Sequence, residues 1–207
     1  MRAAWFIAAA LALGGCSRWK EGVDPSKVRE PPSQSKLTGA QPIRFEQAGH
    51  AIQLTPRARY RITGYVAETS RKLLDEWKFL MPLDVGLIWG AFAEPRYLEH
   101  MSFHLSKRYF SFKYAPGPGG QPLPLQHEKF FTNSHLIASS DNVRARFDEV
   151  KIGDLITLHG QLVDVEIRDA ETDAVQLSSR TSLSRSDTGN GACEQVWVEK
   201  IEIERPR

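Results

Sequence analysis

One segment, residues 155–166, constrains the fold of this chain more than any other. Leu158 and Leu162 fall on one face of a strand, whereas Val163 begins an apolar run on the opposite face. Successive side chains of a strand point to opposite faces, so this change requires a bend or a bulge, and Gly160 lies where it occurs. Strands bent in this way close small barrels.

Other segments have the same strand character. In residues 60–66 apolar and polar side chains alternate, and β-formers are common. In residues 201–204 the alternation of apolar and polar side chains is strict. Residues 81–90 are apolar but contain a proline and two glycines, which predicts a buried, irregular segment. Residues 141–150, preceded by Ser140 as a cap, form the one convincing helix. We therefore predict a mainly β or α+β domain, a small, partly open barrel like the oligonucleotide/oligosaccharide-binding (OB) fold with one or two short helices.

The N-terminus has the pattern of a secretory signal peptide. A basic start is followed by an apolar run over residues 3–13, two glycines and Cys16. The run is too short for a transmembrane helix, which needs about 20 apolar residues. The LGGC sequence that ends in Cys16 resembles the lipobox of bacterial lipoproteins. The alternative is an ordinary signal peptide with a cysteine there by chance.

The lipobox resemblance implies that Cys16 carries acyl chains such as palmitate and that the lipid bilayer is a partner. Each buried methylene contributes about 0.8 kcal/mol, so two or three chains anchor a protein stably. Ser17 stands where an aspartate would favour retention in the inner membrane. By this resemblance we expect a cell-envelope protein at the outer membrane, facing the periplasm.

Three regions follow from these patterns. Residues 1–15 form the signal peptide, residues 16–41 a flexible tether rich in proline and charge, and residues 42–207 a single β-rich domain. The 27 basic and 25 acidic residues of the full chain give a net charge of +2. This charge gives no reason to expect a nucleic-acid partner.

The loop over residues 182–194 is the most unusual stretch and contains Cys193. It is either a polar ligand loop that presents a reactive thiol or a long hairpin connection around a buried, structural cysteine. A thiol enzyme would use Cys193 with a histidine base, His135 or His159. Asp187 begins the tripeptide found in aspartic proteases, although the residues before it are polar. No cofactor or metal site is assigned.

Residues 103–114 are expected to form one strand with Phe110, Phe112 and Tyr114 on a common face. Interleaved bases and aromatic residues are typical of single-strand nucleic-acid binders, and the same rings would suit a glycan. The same alternation of aromatic and polar residues is found in any amphipathic strand, so it does not by itself indicate a binding face. In an exported protein of nearly balanced charge, a glycan is the more suitable ligand for this face.

Four segments also resemble an uncharacterised family of proteobacterial hypothetical proteins, some of them envelope-associated. They are residues 82–90 (PLDVGLIWG), 135–138 (HLIA), 153–163 (GDLITLHGQLV) and 182–194 (SLSRSDTGNGACE). The resemblance covers roughly residues 60–200 and implies no mechanism.

We therefore predict a membrane-anchored envelope lipoprotein that acts as a non-catalytic binding or assembly module, with an envelope protein or a glycan as its partner. The alternatives are a thiol-dependent enzyme using Cys193 and a glycan- or nucleic-acid-binding barrel. The sequence favours a protein that is not an enzyme because no catalytic motif is complete.

Overall fold

The computed structural model describes residues 18–71, 76–106, 108–187 and 192–206. Within them the chain forms three short α-helices: α1 (Arg18–Glu21), α2 (Pro95–Leu98) and α3 (Asp141–Phe147). The strands are β1 (Ser33–Lys36), β2 (Ile43–Gln47), β3 (His50–Arg71), β4 (Leu83–Ile88), β5 (Met101–Ser106), β6 (Tyr109–Tyr114), β7 (Phe131–Ala138), β8 (Leu155–Asp169), β9 (Val175–Ser179) and β10 (Glu194–Glu204). Four 3₁₀ turns lie at Pro25–Val28, Glu76–Phe79, Gly90–Ala93 and His127–Phe130.

Five of these strands form a ring of hydrogen-bonded pairs. β3 pairs with β4, β4 with β7, β7 with β10, β10 with β8, and β8 again with β3. Every pair is antiparallel except β7 and β10, which run parallel. The mainly β or α+β prediction is confirmed. β1 and β2 extend the sheet from β3, β9 extends it from β8, and β5 and β6 form a separate hairpin.

Strand β8 changes the face that it buries along its length. Leu158 and Leu162 of β8 pack in the larger apolar core, whereas Val163 packs in a second, smaller one. β10 has a bulge between Val198 and Lys200, opposite the Gly160 region. The change of face predicted from the sequence of β8 is therefore present.

Two elements differ from their sequence-based predictions. Residues 83–88 form a regular strand rather than an irregular segment, and all six residues are buried. A strand covered on both faces is apolar throughout, so it lacks the alternation that identifies a half-exposed strand. Residues 103–114 belong to a hairpin rather than one strand, and Arg108 at its turn has a φ of 67°.

The described part of the predicted tether is folded against the domain. Val28 is 1% exposed and belongs to the larger core. The Asp24 amide donates a hydrogen bond to the Tyr65 hydroxyl at 2.8 Å, and β1 pairs with residues 58–61 of β3. A free tether over residues 16–41 is thus wrong for this part, because the side chains of Trp19, Val23 and Val28 and a strand edge hold it in place.

The close contact at Gly160 gives a test of the ring. A Cβ added there would lie 1.9 Å from the Trp197 carbonyl oxygen, so Gly160→Ala must push β8 away from β10. We expect a loss of about 1–3 kcal/mol in the free energy of unfolding, measured by urea denaturation. Gly117→Ala is the control, since its Cβ would meet nothing within 4 Å. Equal stability of the two variants would contradict this packing.

Candidate functional site

A cavity of about 150 Å³ lies between the β5–β6 hairpin, β7 and the loop that enters β10. Its walls combine aromatic rings, an amide, a thiol and charged groups. The described residues that line it are Tyr109, Phe110, Glu128, Phe131, Thr132, Asn133, Ser184, Arg185, Asp187, Ala192, Cys193 and Glu194.

The parallel pairing of β7 with β10 builds the back wall of this cavity. Glu194 lies opposite Ser134 in the register, which places Cys193 at the level of Asn133. The Asn133 side-chain nitrogen donates to Cys193 Sγ at 3.3 Å and to the Arg108 carbonyl oxygen at 2.5 Å. Cys193 Sγ also donates to the Arg108 carbonyl oxygen at 3.7 Å. These contacts tie the hairpin turn to the two ring strands.

The aromatic wall depends on a glycine in β4. A Cβ at Gly86 would lie 2.3 Å from the Phe110 ring, so only glycine lets that ring settle on β4. Phe110 stacks on Phe103 with ring centroids 5.8 Å apart and meets Phe131 edge-on at 5.9 Å. The ring that lines the cavity is therefore held from several sides.

A buried ion pair lies beside the cavity. The Arg185 guanidinium contacts the Glu194 carboxylate, whose side chain is 2% exposed, and lies 5.9 Å from the centroid of the Tyr60 ring. Burial raises the pKa of Glu194 to about 7, although Arg185 acts in the opposite direction. Burial also raises the pKa of the Tyr60 hydroxyl. Glu194 thus changes charge near neutral pH.

Several polar atoms of this wall have no hydrogen-bond partner among the described residues. They are Thr132 Oγ1, Asn133 Oδ1, Glu194 Oε2 and Arg185 Nε. Thr132, Asn133 and Glu194 are each more than nine-tenths buried. A buried polar atom without a partner costs about 1–3 kcal/mol, so such groups are normally satisfied by protein, water or ligand. Because the residues that carry these atoms line the cavity, a bound molecule is one source of such partners.

The structure separates the three candidate catalytic residues into two places. Cys193 and Asp187 both line the cavity, and Asp187 accepts a hydrogen bond from the Ser182 hydroxyl at 2.6 Å. His135 is buried, and its Nδ1 contacts Asp84 Oδ1 at 2.7 Å. No hydrogen bond joins Cys193 to a histidine within the described ranges, and His159 instead faces Glu202 at 3.5 Å.

The predicted aromatic face is turned toward the protein. Phe112 meets Phe92 edge-on at 5.0 Å, and the Tyr114 hydroxyl donates to the Gln121 carbonyl oxygen at 2.6 Å. Phe110, Phe112 and Tyr114 are half-buried and pack against the larger core. They are therefore not an open platform for a glycan or a nucleic acid, because they hold the hairpin on the ring, and only Phe110 also lines the cavity.

Cys16 and the rest of the predicted signal peptide lie outside the described residues. In the part of the chain that the structure does describe, no helix has the length and apolar character needed to cross a membrane. Within the same part, no three histidine, cysteine, aspartate or glutamate side chains are placed to hold a metal ion.

Sequence reasoning identified part of this site and missed the rest. The loop over residues 182–194 indicated a polar site and supplies Arg185, Cys193 and Glu194. The contribution of Thr132 and Asn133 was missed because it depends on β7 pairing with β10 across about 60 residues of chain. No local pattern reveals such a pairing.

The chain matches no family model, no curated protein and no solved structure. The resemblances described above therefore stay predictions.

The buried carboxyl gives a testable dependence of stability on pH. The folded state holds the Glu194 proton more tightly than the unfolded chain, so this residue's contribution to stability is present below pH 4.5 and is lost as the pH rises to about 7. In Glu194→Gln that loss is absent. We expect the stability of the variant relative to wild type to grow by about 3 kcal/mol over this range, measured by urea denaturation. A pH-independent difference would contradict the burial of a titrating carboxyl.

Proposed function

We propose that this protein is a lipid-anchored binding protein of the bacterial cell envelope that is held to the membrane through Cys16 and takes a small polar ligand into the Cys193 cavity. The observation that supports a ligand is the group of buried, unpartnered polar atoms on the cavity wall, from Thr132, Asn133 and Glu194. Convergent polar groups in a partly apolar cavity are typical of small-molecule sites.

Two features favour binding over thiol catalysis. Cys193 Sγ forms hydrogen bonds with the Asn133 side chain and with the Arg108 carbonyl oxygen, and neither group is a base that removes a proton. His135 contacts the buried Asp84 instead. If the protein were a thiol enzyme, it would turn over a substrate, and Cys193→Ala would abolish that turnover.

The anchor has a direct test in cells. Metabolic labelling with a palmitate analogue, followed by membrane fractionation, should label wild type in the membrane fraction. Cys16→Ser should carry no label, since it lacks the thiol that would be acylated in a lipoprotein. Cys193→Ser should be labelled like wild type. Label that persists in Cys16→Ser would contradict the proposed anchor.

The binding role is tested on the full chain with three small probes: ethanolamine, acetate and glucose. Chemical-shift changes should saturate with at least one probe, and Asn133→Ala should weaken that binding at least tenfold. Asn142→Ala is the matched control because Asn142 is exposed on α3, outside the cavity lining. Saturable binding of none of the probes would contradict a small-ligand site.

A further inference from the structure

The charges around the cavity select for one kind of ligand. Among the described lining residues three are acidic, Glu128, Asp187 and Glu194, and one, Arg185, is basic. Arg185 is already paired with Glu194, so its charge is largely compensated. An anion would therefore meet mostly like charge, whereas a cation would be attracted.

Two of the unpartnered atoms on this wall are acceptors, whereas Arg185 Nε is a donor and the Thr132 hydroxyl can act in either role. Asn133 Oδ1 and Glu194 Oε2 are acceptors without a partner among the described residues, so both require a donor. The Asn133 amide lies at the wall, because its nitrogen contacts the thiol of Cys193, which also lines the cavity. A protonated amine offers three donors together with a positive charge.

The remaining walls and the size suit a compact ligand. Tyr109, Phe110 and Phe131 supply aromatic rings, whose faces attract cations. The volume of about 150 Å³ is that of a small-molecule site rather than of a peptide groove. This leaves room for a few heavy atoms beyond the amine.

We infer that the cavity binds a compact molecule carrying a primary ammonium group, which donates to Asn133 and Glu194 while the aromatic rings cover its carbon atoms. This inference rests on the proposed function of the cavity as a binding site. The ammonium group would satisfy both acceptors at once and offset the excess of acidic groups.

Such a ligand makes binding depend on pH through Glu194. Arg185, Asp187 and Tyr60 are the charged and titratable groups that face this carboxyl, and it titrates near pH 7. The ionised carboxylate is the form that attracts an ammonium group. Affinity for an amine that stays protonated over this range should rise about tenfold from pH 6 to pH 8, and binding at pH 7 should release about half a proton.

The test is calorimetric titration of the full chain with ethanolamine, compared with choline and acetate. Choline keeps the charge and the hydroxyl but has no N–H, and we expect it to bind at least tenfold more weakly than ethanolamine. Acetate should show no binding. Repeating the ethanolamine titration in buffers of different ionisation enthalpy measures the released proton.

Variants separate this inference from the more general proposal. Glu194→Gln should weaken ethanolamine at least tenfold and abolish its pH dependence, whereas Asn142→Ala should leave both unchanged. Thr132→Val is a second variant in the cavity lining, and it removes the hydroxyl while keeping a side chain of nearly the same shape.

Saturable binding of acetate or glucose but not ethanolamine would overturn the ammonium inference and leave a small-ligand site in place. Ethanolamine binding that is independent of pH, or equalled by choline, would also overturn it. Binding of no probe would overturn both proposals.

Discussion

The pairing of β3 with β8 is the interaction on which the rest of this structure depends. It runs from the pair His50 and Asp169 to the pair Tyr65 and Leu155, and it closes the ring of five strands. Both strands contribute to both apolar cores. Because β4 and β10 each pair with one of these two strands, the positions of β7 and the cavity follow from this ladder.

The cavity combines features that cost stability. A carboxylate and a guanidinium are buried together beside it, and removing charges from water costs several kcal/mol unless the pair is well satisfied. Glu194 Oε2 and Asn133 Oδ1 add buried acceptors without partners among the described residues. Arrangements of this kind are found at functional sites more often than elsewhere.

The fold was largely predictable because its strongest signals are local. The change of face in β8 and the cap of α3 by Ser140, whose Oγ accepts from the Val143 amide at 3.3 Å, can both be predicted from neighbouring residues. β4 was not predictable as a strand, since burial on both faces removes its alternation. Packing of residues before β2 was missed because Trp19, Val23 and Val28 are widely spaced in a segment that is otherwise mostly polar.

The site was predictable only in part, for a related reason. Cys193 and Asp187 lie in a loop with an unusual composition, so the sequence indicates them. The pairing of Arg185 with Glu194 and the approach of Asn133 to Cys193 depend on the tertiary fold. The aromatic residues of β6 show that alternation predicts which side chains share a face but not whether that face meets solvent.

Glu194 is a buried carboxyl on the wall of the cavity, and its pKa of about 7 is the property on which the proposed ligand binding depends most. A pH titration of its side-chain carboxyl by ¹³C NMR measures this directly, with Glu194→Gln to assign the signal. The account predicts a midpoint near pH 7 that moves lower when ethanolamine is bound. A midpoint near the ordinary value of 4.5 would show a solvated carboxyl and contradict it.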